Sequence, residues 1–253
     1  MVESILIRIF YDIAKGFALS IPDAILNYKF KKFFGKNAFK NNKIYLVVDP
    51  YEHPIARSKM AVPVNRFIKD FKGLQPNAQL VGEDKLLGTN VTRVIKYASA
   101  TFGKILKKTN PIKIVLDEEV FAVWEGTYIC SGSSDSNIKT LAFERLPENN
   151  LYKFEFDKSG SRCFKITDQT FSLEPNGKDL GIIARLKNPH SKDNYIFVCA
   201  GLGEWGTSGA NYYLFKNWSE LHKKFKKDNF CLVVQVDLNS DETARVIREY
   251  PVY

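Results

Sequence analysis

The chain has 253 residues, 45% hydrophobic and 26% charged, a balance that excludes global disorder and allows one large domain or two small ones. Its formal net charge of +9 points to phosphate-bearing partners, whether nucleotide, nucleic acid or anionic lipid. No apolar run reaches the ~18–20 residues of a membrane-spanning helix, and four cysteines without a C-x-x-C pair argue against a zinc knuckle.

The first elements predicted are a helix pair. Ile5, Ile9, Ile13 and Phe17 recur at helical spacing, and Pro22 with Asp23 marks a break and a new start. Between Lys29 and Lys43 lie six lysines and no acid, interleaved with Phe30, Phe33 and Phe34. Residues 1–43 are therefore expected to form an amphipathic, basic helical arm. It would pack on the main domain or on a partner chain, or lie on an anionic membrane surface with the three phenylalanines in the interface.

From residue 44 the pattern alternates between short apolar strands and amphipathic helices. KIYLVVDP, PIKIVLDEEV, GTYICSG, YIFVCAG and FCLVVQVD read as strands covered on both faces. SKMAVPVNRFIKDFKGL, GTNVTRVIKYASATFGKILKK, SDSNIKTLAFERL and GANYYLFKNWSELHKKF read as helices, NAQLVGED as a weaker strand and TARVIREYPVY as a last edge strand. Between 151 and 190, YKFEFD, RCFKIT, TFSLEP and DLGIIARLKNP alternate and are broken by turn residues, which predicts an antiparallel hairpin insertion. Residues 44–253 are thus expected to form a Rossmann-like α/β domain, a mainly parallel sheet with helices on both faces.

In such a sheet ligands bind where strands run into helices. After YIFVCAG, the residues Gly201, Gly203 and Gly206 match G-x-G-x-x-G, and Thr207 and Ser208 follow as hydroxyl donors for a phosphate. The motif lies late in the chain, and the next strand ends at Asp237, about 31 residues beyond Gly206 rather than the ~20 of a dehydrogenase fingerprint. Over this loop alone the chain is similar to the G-G-x-G-T turn of the lonely-guy type nucleotide phosphoribohydrolases. It lacks the glutamate that follows the turn there, and the likeness assigns no family.

The second candidate turn, SGSSDSN, follows GTYIC. Gly132, Ser133, Ser134 and Asn137 supply a flexible backbone and polar groups beside a helix N-terminus. A third group is acidic: Asp49, Glu52, Asp117 to Glu119, and Glu204. These features predict a protein that binds a nucleotide or dinucleotide, with cleavage or transfer at its N-glycosidic bond as the accompanying chemistry. Glu204 and Asp135 are the catalytic candidates. The non-enzymatic alternative is an assembly or sensor module recruited to a membrane surface, forming a homo-oligomer in one version. Nucleic-acid binding through KFKKFF ranks third.

No G-x-S-x-G or GK[ST] motif occurs, and the three histidines have no metal-ligand spacing. Cysteines inside apolar strands and the lack of a cleavable signal pattern predict a reducing cytoplasm, with residues 1–43 reaching the inner face of a membrane in the recruited version.

Overall fold

A computed structural model describes residues 23–49, 89–106, 112–173 and 177–252. The predicted helix over 5–17, the segment SKMAVPVNRFIKDFKGL and the strand NAQLVGED lie outside them.

Alternating side chains along the central strands divide between two cores, and this explains why the strands are apolar without a break. In β8 (Tyr195–Gly201), Phe197 and Cys199 enter one core while Ile196, Val198 and Ala200 enter the other. In β9 (Asn229–Asp237), Phe230, Leu232 and Val234 face one way and Cys231 and Val233 the opposite way. Such a sheet needs cover on both faces.

One face is covered by helices. α1 (residues 23–34) and α2 (Lys36–Lys40) precede β1 (Ile44–Val48), and α3 (Thr89–Leu106) precedes β2 (Ile112–Leu116). α3 buries Val91, Val94, Ala98, Phe102 and Leu106, a repeat of three to four residues that lays one stripe on the sheet. α5 (Glu204–Phe225), which leaves β8, packs against both α3 and the sheet. Phe30, Phe33 and Phe34 of α1 are fully buried here, ringed by Phe102, Phe197, Phe215 and Trp218. These three rings therefore belong to the core of the sheet domain and are not available to a bilayer.

The other face is covered differently. α4 (Ile138–Glu144) follows β3 (Thr127–Ser131), and then comes a separate three-stranded antiparallel sheet of β4 (Lys153–Phe156), β5 (Arg162–Ile166) and β6 (Gln169–Ser172). Phe143, Leu151, Tyr152, Phe164 and Ile166 fill the space between this layer and the main sheet.

The main sheet has seven strands in the order β10-β9-β7-β8-β3-β1-β2. β2, β1, β3 and β8 are parallel neighbours, while β7 (Lys178–Lys187) runs against both β8 and β9, and β10 (Ser240–Val252) runs against β9. Five of the seven strands thus point the same way. β7, which the sequence places with the hairpins, is an interior strand of the main sheet. Its residues Asp179–Leu186 are all buried, as that position demands.

β1 lies between β2 and β3, so the chain reverses its direction of progress across the sheet there. The connection to β2 runs through α3 on the helical face, and the one leaving β3 runs through α4 on the opposite face. A crevice opens at the carboxyl ends of strands where the order reverses in this way.

Candidate functional site

Four segments meet at the carboxyl ends of the parallel strands: Asp49 after β1, Asp117 after β2, the 131–137 turn after β3 and the 201–206 loop after β8. The amino end of β7 joins them because that strand runs the other way.

The 201–206 loop is a close-packed joint. A Cβ on Gly206 would lie 2.2 Å from the Leu180 carbonyl oxygen, and one on Gly201 would lie 2.3 Å from the Thr207 nitrogen. The first turn of α5 therefore rests directly on the backbone of β7 and β8. The amides that such a loop would offer a phosphate are taken by Asp179: one carboxylate oxygen accepts from Gly206 N at 2.7 Å, the other from Gly203 N at 3.1 Å and Leu180 N at 2.7 Å. A carboxylate at a helix N-terminus satisfies the free amides and the local positive field. Burial nevertheless raises the Asp179 pKa, against the lowering effect of those amides.

The hydroxyls of this loop are likewise engaged within the fold. Thr207 Oγ1 accepts from Gly201 N at 2.9 Å and donates to Gly203 O at 3.1 Å. Ser208 Oγ donates to Asp241 at 2.5 Å, and Asp241 also accepts from Arg93 at 2.9 Å and Tyr97 at 2.7 Å. Arg93 stacks its guanidinium 3.9 Å from the Trp205 ring centroid, tying α3, α5 and the start of β10 together. Glu204 is exposed in the first turn of α5.

The 131–137 turn is built differently. Gly132 holds φ at 124°, in the left-handed region that favours glycine. Asn137 caps α4, its side-chain oxygen accepting from Thr140 N at 2.9 Å. Asp117 reaches across from β2 to accept from Ile138 N at 2.7 Å. Ser133 donates to Asp135, and Asp135 pairs with Arg162 of β5. Asp49 lies beside Ser136. Burial raises its pKa, and the nearby carboxylates of Asp117 and Asp135 add to that. Glu52 and His53 lie outside the described residues. No group of three or more His, Cys, Asp or Glu side chains among the described residues could hold a metal ion.

Beside this turn, between α4 and the small sheet, opens a cavity of about 690 Å³. Ser134 and Asp135 of the turn are on its wall, with Arg145, Lys153, Arg162 and Lys165 as cations and Tyr152, Phe154 and Phe156 as rings. Phe156 is 63% exposed, a large apolar surface left facing water. Glu155 is held between Lys153 and Lys165. Arg162 does a second job: its other nitrogen donates to Leu202 O at 3.1 Å, so one side chain of the small sheet holds both candidate loops.

Of the residues singled out from sequence, Ser134 and Asp135 face this cavity. Gly132, Ser133 and Asn137 shape the turn beneath it, and Gly201, Gly203, Gly206, Thr207 and Ser208 form the neighbouring joint. The cations and rings of the small sheet were missed. They sit on alternating strands whose pattern reads as ordinary hairpin, and only the fold brings them against the serine turn. No family model, curated protein or solved structure matches this chain.

Proposed function

We propose that the protein binds a nucleotide-like anionic small molecule in the cavity between the 131–137 turn and the three-stranded sheet. The observation that carries this reading is the lining itself: four cations, three carboxylates (Asp135, Glu144 and Glu155) and three aromatic rings around about 690 Å³, at the carboxyl end of a parallel strand, with Arg145 in no ion pair among the described residues. A volume of roughly 300–1,000 Å³ is usual for a small-molecule site. Cationic side chains meet phosphate oxygens, and an exposed ring offers a face on which a base stacks. A Rossmann-like use of the sheet would favour this position, because the 131–137 turn follows β3, the neighbour of β1 where strand order reverses. The anion would sit at Arg145 and take the place of Glu155 on Lys153 and Lys165, rather than on Gly203 and Gly206, whose buried amides are filled by Asp179.

If the bound molecule is cleaved at its N-glycosidic bond, Asp135 is the one of three wall carboxylates we assign to the sugar, since Glu155 is held by two lysines and Glu144 accepts from Phe154 N. Asp135 lines the cavity, and Arg162 and Ser133 orient it. Glu204 is not on the wall.

The test is a thermal-shift screen against nucleoside mono-, di- and triphosphates, NAD, NADP and cyclic nucleotides. A ligand present at a hundred times its Kd stabilises the folded state by about 2.7 kcal/mol. A shift seen in the wild type and lost in both Lys165→Ala and Phe156→Ser supports the site. Binding retained in both variants overturns it, as does the absence of any shift. Chromatography of free base after incubation with the bound nucleotide then separates an Asp135-dependent hydrolase from a binding protein.

A further inference from the structure

Besides the lysines from Lys29 to Lys43, the chain carries a second cluster, HKKFKK from His222 to Lys227, nearly two hundred residues away in the sequence, and the fold packs the helices that bear the two against each other. α1 turns Phe30, Phe33 and Phe34 inward, so positions 25, 28, 29 and 32, at i, i+3, i+4 and i+7, form its outward stripe. On that stripe Ile25 is 48% and Tyr28 54% exposed, with Lys29 and Lys32 beyond them and Lys36 5.8 Å from the Tyr28 ring centroid. The inward rings set α1 against the last turn of α5, where Phe33 meets His222 edge-on at 6.0 Å and Trp218 at 6.4 Å. His222 is close enough to feel both Lys29 and Lys32. Its own turn and the residues after it carry Lys223, Lys224, Lys226 and Lys227, all exposed.

Lys224 pairs with Glu249, but Lys29, Lys32, Lys223, Lys226 and Lys227 form no ion pair among the described residues. Their shared face lies at the carboxyl end of α5, while the cavity borders the carboxyl ends of the parallel strands, near which α5 begins.

We infer that this face docks on an anionic lipid bilayer, its lysines over the headgroups and Ile25 and Tyr28 in the interfacial layer. Charge alone would suit any polyanion. The apolar and aromatic side chains that share one helical stripe with the lysines find partners at a membrane interface and none along a phosphate backbone. No helix among the described residues is long and apolar enough to cross a membrane, so the contact is with the surface.

The experiment is co-sedimentation of the full chain with phosphatidylcholine vesicles and with vesicles containing one part phosphatidylglycerol in three, at low and at high salt. The expected result is binding to the anionic vesicles only, weakened by salt as the screening length shortens. Lys29→Glu, Lys32→Glu, Lys223→Glu and Lys226→Glu together should remove it, since each lysine at an anionic surface accounts for about a fivefold change in partitioning. Ile25→Ser with Tyr28→Ser, which leaves every lysine in place, should lower the binding that survives high salt. Undiminished binding of the fourfold variant overturns the assignment, as does equal binding to neutral vesicles. Duplex DNA that binds the chain equally well with and without Ile25 and Tyr28, and strips it from vesicles, overturns it in favour of a nucleic-acid surface.

Discussion

Lys139 carries an amine into the interior without an ion-pair partner among the described residues. Its side chain is fully buried, donating to Phe121 O at 3.0 Å and Val123 O at 2.5 Å beneath the rings of Trp124, Tyr128 and Phe143. The carbonyls and ring faces stabilise the ammonium, but burial dominates and lowers its pKa to about 8. Because the folded value lies below that of the unfolded chain, the unfolded chain binds more protons between the two. Stability contributed by this site therefore rises with pH from about 8 towards the ordinary lysine range. Urea melts of the wild type and Lys139→Met across that window should diverge by roughly 3 kcal/mol in favour of the wild type as pH rises. Parallel curves would mean that the cage solvates the charge as well as water does. The sequence gives no sign of this residue, because a lysine in the first turn of a helix reads as solvated until the 118–126 segment is folded over it.

At the level of elements, most strands and helices were legible because both faces of the sheet are covered and α3 keeps one apolar stripe. The position of β7 was not. DLGIIARLKNP follows three hairpin strands, and nothing local distinguishes a fourth hairpin strand from one inserted between β8 and β9. The same strand explains the glycine motif, since it supplies Asp179 to the amides of α5 and brings Leu180 against Gly206. At Gly206 the backbone that approaches closely is the protein's own strand. Gly206→Ala, whose new methyl would meet a main-chain oxygen at 2.2 Å, should cost about 3 kcal/mol or more, beyond the usual penalty for overpacking. Asp179→Ala, which leaves buried amides without an acceptor, should cost roughly 1–3 kcal/mol. Denaturant titration measures both. A neutral Gly206→Ala would mean that the joint is loose and the loop free to receive a ligand.

Across the whole molecule, the two proposed contacts use opposite ends of the same helix. α5 starts at the joint next to the serine turn and ends among the lysines, with 22 residues of rigid helix between. A nucleotide in the cavity and a bilayer at the basic face should therefore bind together without competing. Titrating the nucleotide onto vesicle-bound protein should leave the sedimented fraction unchanged. Release would place both anions on one surface. The cavity was only half legible: the serine turn announced itself by composition, whereas Arg145, Lys153, Arg162 and Lys165 converge through tertiary packing that spacing does not encode.

The four cysteines give the fold an internal clock. Cys130, Cys199 and Cys231 sit on three strands of the main sheet and Cys163 on the small one, all buried and none in a disulfide. Burial raises each thiol above its ordinary pKa, so the nucleophilic thiolate is suppressed while the layers stay closed. An alkylating reagent can then act only as fast as each layer opens. The order in which the four sites are modified becomes a chronology of which sheet lets water in first.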